Sequence, residues 1–114
     1  MPWLGNKADV PQFDIYLNPL PGARASVPYV VDVQSGLLDQ LPTRLVMPLS
    51  RVGIDAARLP INLCPEVLVE GEALALMAHQ SAPLPARLLK KPVASIAHRA
   101  GEVAAAMDAV LSGV

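Results

Sequence analysis

The sequence predicts an α+β domain: an antiparallel sheet or partly open barrel, with one C-terminal helix packed on one side. Three observations predict it. The stretches "QFDIYLN" (12–18), "YVVDVQS" (29–35) and "RLVMPLS" (44–50) alternate with the period of half-buried strands. "EVLVEGEALALMA" (66–78) reads as a hairpin centred near Glu70-Gly71, since glycine tolerates the positive φ of a tight turn. From Ser95 onward, apolar residues recur at helical spacing up to the last residue.

Taken in order, residues 1–11 show no periodicity and are expected to form an N-terminal extension, outside a single domain spanning 12–114. In the first strand Phe13, Ile15 and Leu17 share a face opposite Asp14 and Tyr16. "PLPGARASVP" (19–28) is a loop, marked by three prolines and a glycine. In the second strand Tyr29, Val31 and Val33 face one way, and Val30, Asp32 and Gln34 the other. In the third, Leu45, Met47 and Leu49 share a face, and Pro48 lacks a backbone donor, which places it on an edge or at a bulge. The stretch 51–63 is mixed. "PLPARLLKKP" (83–92) is broken by prolines, with a short strand expected around Ala86–Leu89. The helix has Ser95 as its N-cap. Its expected buried stripe is Ile96, Ala100, Val103, Met107, Val110, Leu111 and Val114. Asp108 and Ser112 fall on the exposed side, and Gly113 sits where helices terminate.

Composition limits the function. The chain has 114 residues, 53% of them apolar but only four aromatic, so the core is aliphatic. Charged residues are 17% and the net charge is −1. No basic patch beyond Lys90-Lys91 offers to neutralise nucleic-acid phosphates. The single cysteine, Cys64, forms no internal disulfide and suits a reducing compartment. No apolar run is long enough to span a bilayer, and no signal peptide is evident. A soluble cytoplasmic protein is expected, and so apolar a short chain is expected to hide surface in a partner, most simply a second copy.

Catalytic patterns are absent. His79 falls at a strand end and His98 in the first helical turn, while Ser35, Ser81 and Asp32 stand at no diagnostic spacing to either. No histidine pair has metal-ligand spacing and no glycine loop cradles a phosphate. Cys64 in "NLCPE" reads as a small buried side chain. The residues themselves describe a binding protein without cofactor or metal.

One stretch goes further. "YVVDVQSGLLDQLPTRLVMPL" (29–49) resembles the CcdB family, the toxin halves of toxin–antitoxin pairs, through Val31-Asp32-Val33-Gln34-Ser35, the aliphatics Leu37 and Leu38, Asp39, Arg44 and Pro48-Leu49. "QFDIY", Leu63, Pro65, Met77, Pro85, His98-Arg99 and Gly113 continue the likeness over about 12–114. The resemblance implies an SH3-like, CcdB-type partly open barrel with a C-terminal helix. It implies a non-enzymatic homodimer that binds the gyrase A chain of DNA gyrase and traps the cleaved gyrase–DNA complex. A CcdA-like antitoxin neutralises it, and the pair represses its own operon, reaching operator DNA only as that complex. The gyrase contact carried over by the resemblance comprises Leu37, Leu38, Asp108, Leu111, Ser112, Gly113 and Val114. Where the family carries tryptophan this chain has Ser112. That leaves a weakened toxin, a gyrase of different shape or a different target open, beside a non-toxic homologue that keeps the antitoxin surface. MazF/Kid-like endoribonucleases share the implied fold and form the other alternative.

Overall fold

The structure, a computed structural model, describes residues 12–51 and 63–112. The expectations for residues 1–11, for most of the mixed stretch 51–63, and for Gly113 and Val114 lie outside the described residues. Among the described residues seven strands and one α-helix follow in order: β1 (Asp14–Leu17), β2 (Tyr29–Asp32), β3 (Thr43–Ser50), β4 (Glu66–Val69), β5 (Glu72–Leu76), β6 (Ala82–Pro85), β7 (Ala94–Ser95) and α1 (Ala100–Ser112). All strand pairs are antiparallel, in the order β4-β5-β3-β2-β1-β7, with β6 also paired to β3. Among the described residues the sheet thus curls into a partly open barrel whose path ends at β4 and β7, with β6 as a further edge strand beside β3, and the C-terminal helix completes the α+β fold. Arg99 spans the open seam: its Nη1 donates to the Glu66 carbonyl at 2.6 Å, while Nε and Nη2 hold Glu102 at 2.7 and 2.8 Å.

The expected strand phases decide the core. Ile15, Val31, Met47, Leu49, Leu74 and Leu76 fill it with aliphatic volume, and Val103, Ala106 and Ala109 close it from the helix. Phe13 and Tyr29 only flank it. The opposite sheet face is also buried: Tyr16, Val30 and Val46 form a second cluster under Leu84 and Leu89. Leu17, expected inward with Ile15, is exposed instead. β1 therefore buries residues on both faces, as a strand does when covered on each side. The β4–β5 hairpin turns at Glu70 and Gly71, where φ is +50° and +83°. Two positive φ values in a two-residue loop define a type I′ turn, which glycine meets without strain.

Prolines account for two corrections. The strand expected at Ala86–Leu89 is a 3₁₀ turn, Ala86–Leu88, and the strand lies earlier, over Ala82–Pro85. Ala86 N donates to Pro42 O at 2.8 Å. Antiparallel alternation then turns Leu84 toward β3 and the donor-less nitrogens of Pro83 and Pro85 outward from an edge. Pro48 sits neither on an edge nor at a bulge; it lies within β3. Val33 N donates to Leu45 O at 2.9 Å, which sets the alternation so that Pro48 turns away from β2. On its other flank β3 passes from β6, paired with 43–46, to β5, paired with Leu49 and Ser50. On that flank Pro48 faces Met77, whose N donates to Pro48 O at 2.9 Å while its O accepts from Gln80 N at 2.9 Å, so the missing donor leaves no carbonyl there unpaired.

Inside the sheet is a buried ion pair. Asp32 is held by Arg44 through Nε at 2.7 Å and Nη2 at 3.1 Å, with side-chain exposures of 1% and 4%. Arg44 Nη2 also donates to Gln34 O at 3.0 Å, and Gln34 N donates to Asp32 Oδ1 at 3.0 Å. Arg44 Nη1 is buried without a hydrogen-bond partner among the described residues. Asp14 lies beside Asp32 on β1, and burial, then the Asp32 charge, raises its carboxyl above the ordinary carboxylate range. Breaking one member of such a pair strands its partner in low dielectric. Asp32→Ala is expected to lower the unfolding free energy by about 3–5 kcal/mol. Asp32→Leu combined with Arg44→Met should recover most of that loss, both read by urea denaturation.

Candidate functional site

The path from sequence to site starts at Gln34. Its Nε2 donates to Leu38 O at 2.9 Å and Thr43 O at 3.1 Å, and its Oε1 accepts from Leu45 N at 2.9 Å. This buried side chain ties down a 3₁₀ turn, Gly36–Leu38, from beneath. Ser35 caps the turn, its Oγ accepting from Leu37 N at 3.1 Å. With its backbone so occupied, the turn projects its aliphatic side chains outward: Leu37 is 93% exposed and Leu38 about half exposed. So "VDVQS" is a scaffold, and the residues after it are what the scaffold holds out.

The second group lies on α1. A 3₁₀ turn over Ala97–Arg99 precedes the helix with Ile96 at its N-cap, and Ser95 Oγ accepts from Ala97 N at 3.2 Å, so Ser95 braces the entry to this turn and does not cap α1. The buried face of α1 is Val103, Ala106 and Ala109. The expected stripe is therefore rotated: Val110 and Leu111 are exposed, Leu111 by 78%. The reason lies in the alanines. They allow close approach of helix to sheet, so small residues occupy the inner face and the larger aliphatics are left outside. Asp108 and Ser112 are exposed as expected, and Ser112 Oγ donates back to Asp108 O at 2.7 Å.

Leu37 and Leu38 thus sit on the turn after β2, and Asp108, Leu111 and Ser112 on the last turns of α1. Neither group belongs to a core cluster, and no hydrogen bond links them among the described residues. Gly113 and Val114 lie outside the described residues. A site feature that the sequence does not foretell is an open apolar groove of about 260 Å³. It is lined by Phe13, Val33, Leu45 and Met47 from the sheet and by Val103, Ala104 and Met107 from α1. Met107, the last helical residue lining the groove, stands one helical turn before Leu111. The inward-facing strand residues are legible in the sequence; that the helix leaves them partly uncovered is not.

The groups weighed for chemistry are apart from this surface. Among the described residues neither His79 nor His98 hydrogen-bonds a carboxylate, and no three His, Cys, Asp or Glu side chains converge. Burial pushes the Cys64 thiol up. No helix of the described residues is long and apolar enough to cross a membrane.

A small barrel thus holds out aliphatic side chains on a braced turn and a helix end, beside an apolar groove. The family model described as CcdB protein matches residues 12–113. The chain belongs to the CcdB family, and this membership supports, in broad terms, a toxin–antitoxin function of the gyrase-poison type.

The geometry separates surface from core in a way that mutation can read. Leu37→Ala and Leu111→Ala should each change stability by less than about 0.5 kcal/mol. Leu49→Ala and Leu76→Ala, fully buried, should cost about 2–5 kcal/mol. Chemical denaturation of the four variants checks the contrast.

Proposed function

We propose that this chain is the toxin of a toxin–antitoxin pair, and that it binds the gyrase A chain of DNA gyrase and stabilises the cleaved gyrase–DNA complex. The observation that carries the reading is the exposure of Leu37 and Leu111. Two large aliphatics face solvent at positions where the family resemblance locates the gyrase contact. A chain gains nothing from such exposure by itself, and exposed apolar groups held by rigid backbone are what interfaces use. Leu38, Asp108, Ser112, Gly113 and Val114 complete the proposed contact. The toxin works as a homodimer, with the apolar groove along α1 covered by the second copy, so that two helix ends form one docking surface across the two-fold axis. A CcdA-like antitoxin neutralises it, and operator DNA is reached only through their complex. No catalytic step is required of the chain.

Ser112 offers little surface where the family carries tryptophan. A buried aromatic anchor contributes about 2 kcal/mol or more to an interface, or roughly thirtyfold in affinity. Position 112 is exposed, so a larger side chain is sterically admissible there. Supercoiling and DNA-cleavage assays with purified gyrase test the proposal. Micromolar wild-type protein should accumulate cleaved DNA, Leu37→Ala should weaken the effect, and Ser112→Trp should strengthen it about thirtyfold. Folded protein that leaves gyrase untouched, both as wild type and as Ser112→Trp, contradicts the proposal; RNA fragmentation by the same samples would favour the endoribonuclease alternative.

A further inference from the structure

The sole cysteine of the chain meets two other soft or borderline donors. Cys64 lies just before β4, Met77 follows the last residue of β5, and His79 sits in the 3₁₀ turn Ala78–Gln80. Cys64 Sγ is 3.9 Å from Met77 Sδ and 3.9 Å from His79 Nδ1. Met77 is only 3% exposed, yet its thioether is directed at the thiol, while His79 is exposed. Thioether and imidazole therefore both approach the thiol, from a segment of chain separate from its own.

Those spacings suit coordination. With bond lengths of about 2.3 Å to sulfur and about 2.0 Å to nitrogen, donors at trigonal angles stand roughly 3.7–4.0 Å apart. Thiolate and thioether sulfur select soft cations, and imidazole is compatible with them, whereas a thioether is a poor ligand for zinc, calcium or magnesium. The backbone positions are fixed independently of any ion. Met77 N donates to Pro48 O at 2.9 Å, and Gln80 N to Met77 O at 2.9 Å. The exposed His79 ring supplies an entry path from solvent, one of the requirements for a credible metal site.

We propose that Cys64, Met77 and His79 form a three-coordinate site for a soft monovalent d¹⁰ cation of the Cu(I) class. Binding joins the segment entering β4 to the exit of β5, with Cys64 losing its thiol proton to solvent and no electron changing hands. The site lies on other segments than Leu37, Leu38 and the end of α1, so it does not depend on the proposed gyrase contact.

The test is an anaerobic titration of the full chain with Cu(I) against a chromophoric Cu(I) chelator, together with X-ray absorption of the loaded protein. One Cu(I) per chain is expected, with two sulfur ligands and one nitrogen ligand. Cys64→Ser should weaken binding by at least about 100-fold, and His79→Asn and the volume-conserving Met77→Leu by about tenfold or more each. Circular dichroism of each variant reports whether it is folded. Failure of the folded wild type to compete for Cu(I) overturns the proposal. So does binding that needs Cys64 but is indifferent to both Met77 and His79, or absorption data showing sulfur-only bridging between chains.

Discussion

Asp32 and Arg44 are twelve residues apart in sequence, yet their ion pair is the hinge on which both halves of the molecule depend. A charge pair inside a sheet is costly to desolvate and weak as a source of net stability. Its value here is geometric. Arg44 binds the carboxylate and the Gln34 carbonyl together, and Asp32 in turn accepts from Gln34 N, so the end of β2 and the start of β3 admit one arrangement. A one-residue slip between these strands would put a carboxylate and a guanidinium into the aliphatic core. Register, and with it the inward set Val31, Met47 and Leu49, is thereby held.

From that fixed point the constraint passes to the surface. Gln34 uses its amide three times, twice toward carbonyls of the following turn and strand and once toward the Leu45 amide. A turn whose carbonyls are held from beneath has little freedom to fold its side chains back, and Leu37 and Leu38 stay outside. At the other end of the chain the alanine face of α1 produces the same result by packing: small residues go in and Leu111 remains out. Two unrelated local mechanisms thus expose aliphatic side chains in a protein whose surface carries few charges. Under the proposed function that exposure is a contact surface.

Much of the fold is legible because alternation is a direct consequence of strand geometry. β1 to β3 and the Glu70-Gly71 hairpin need no tertiary information. The departures have particular causes. Pro83 and Pro85 argue against a strand only if neighbours exist on both sides; at an edge, alternate prolines leave Leu84 free to pair. Pro48 belongs in β3 because its nitrogen turns away from β2 and the Met77 carbonyl on the other flank accepts from Gln80 N instead. The helix stripe is rotated from its expected position because hydrophobicity ranks leucine over alanine, whereas the sheet accepts the residue that lets the backbone approach. The Asp32–Arg44 pair, the groove and the meeting of Cys64 with Met77 and His79 arise from contacts between distant residues, which no local pattern encodes. Of the contact residues implied by resemblance, Leu37 and Leu38 follow a recognisable motif, while the outward direction of Leu111 depends on how the helix sits on the sheet.

The braced turn and the helix end are together the surface proposed to meet gyrase. Hydrogen–deuterium exchange of the chain, alone and with the gyrase A chain, tests that surface without relying on any substitution. Added protection is expected in peptides covering Gly36–Leu38 and Met107–Ser112, with the Glu70-Gly71 hairpin unchanged. Complex formation that protects the hairpin or the 82–89 segment, and leaves those two regions exchanging as in the free protein, would contradict it.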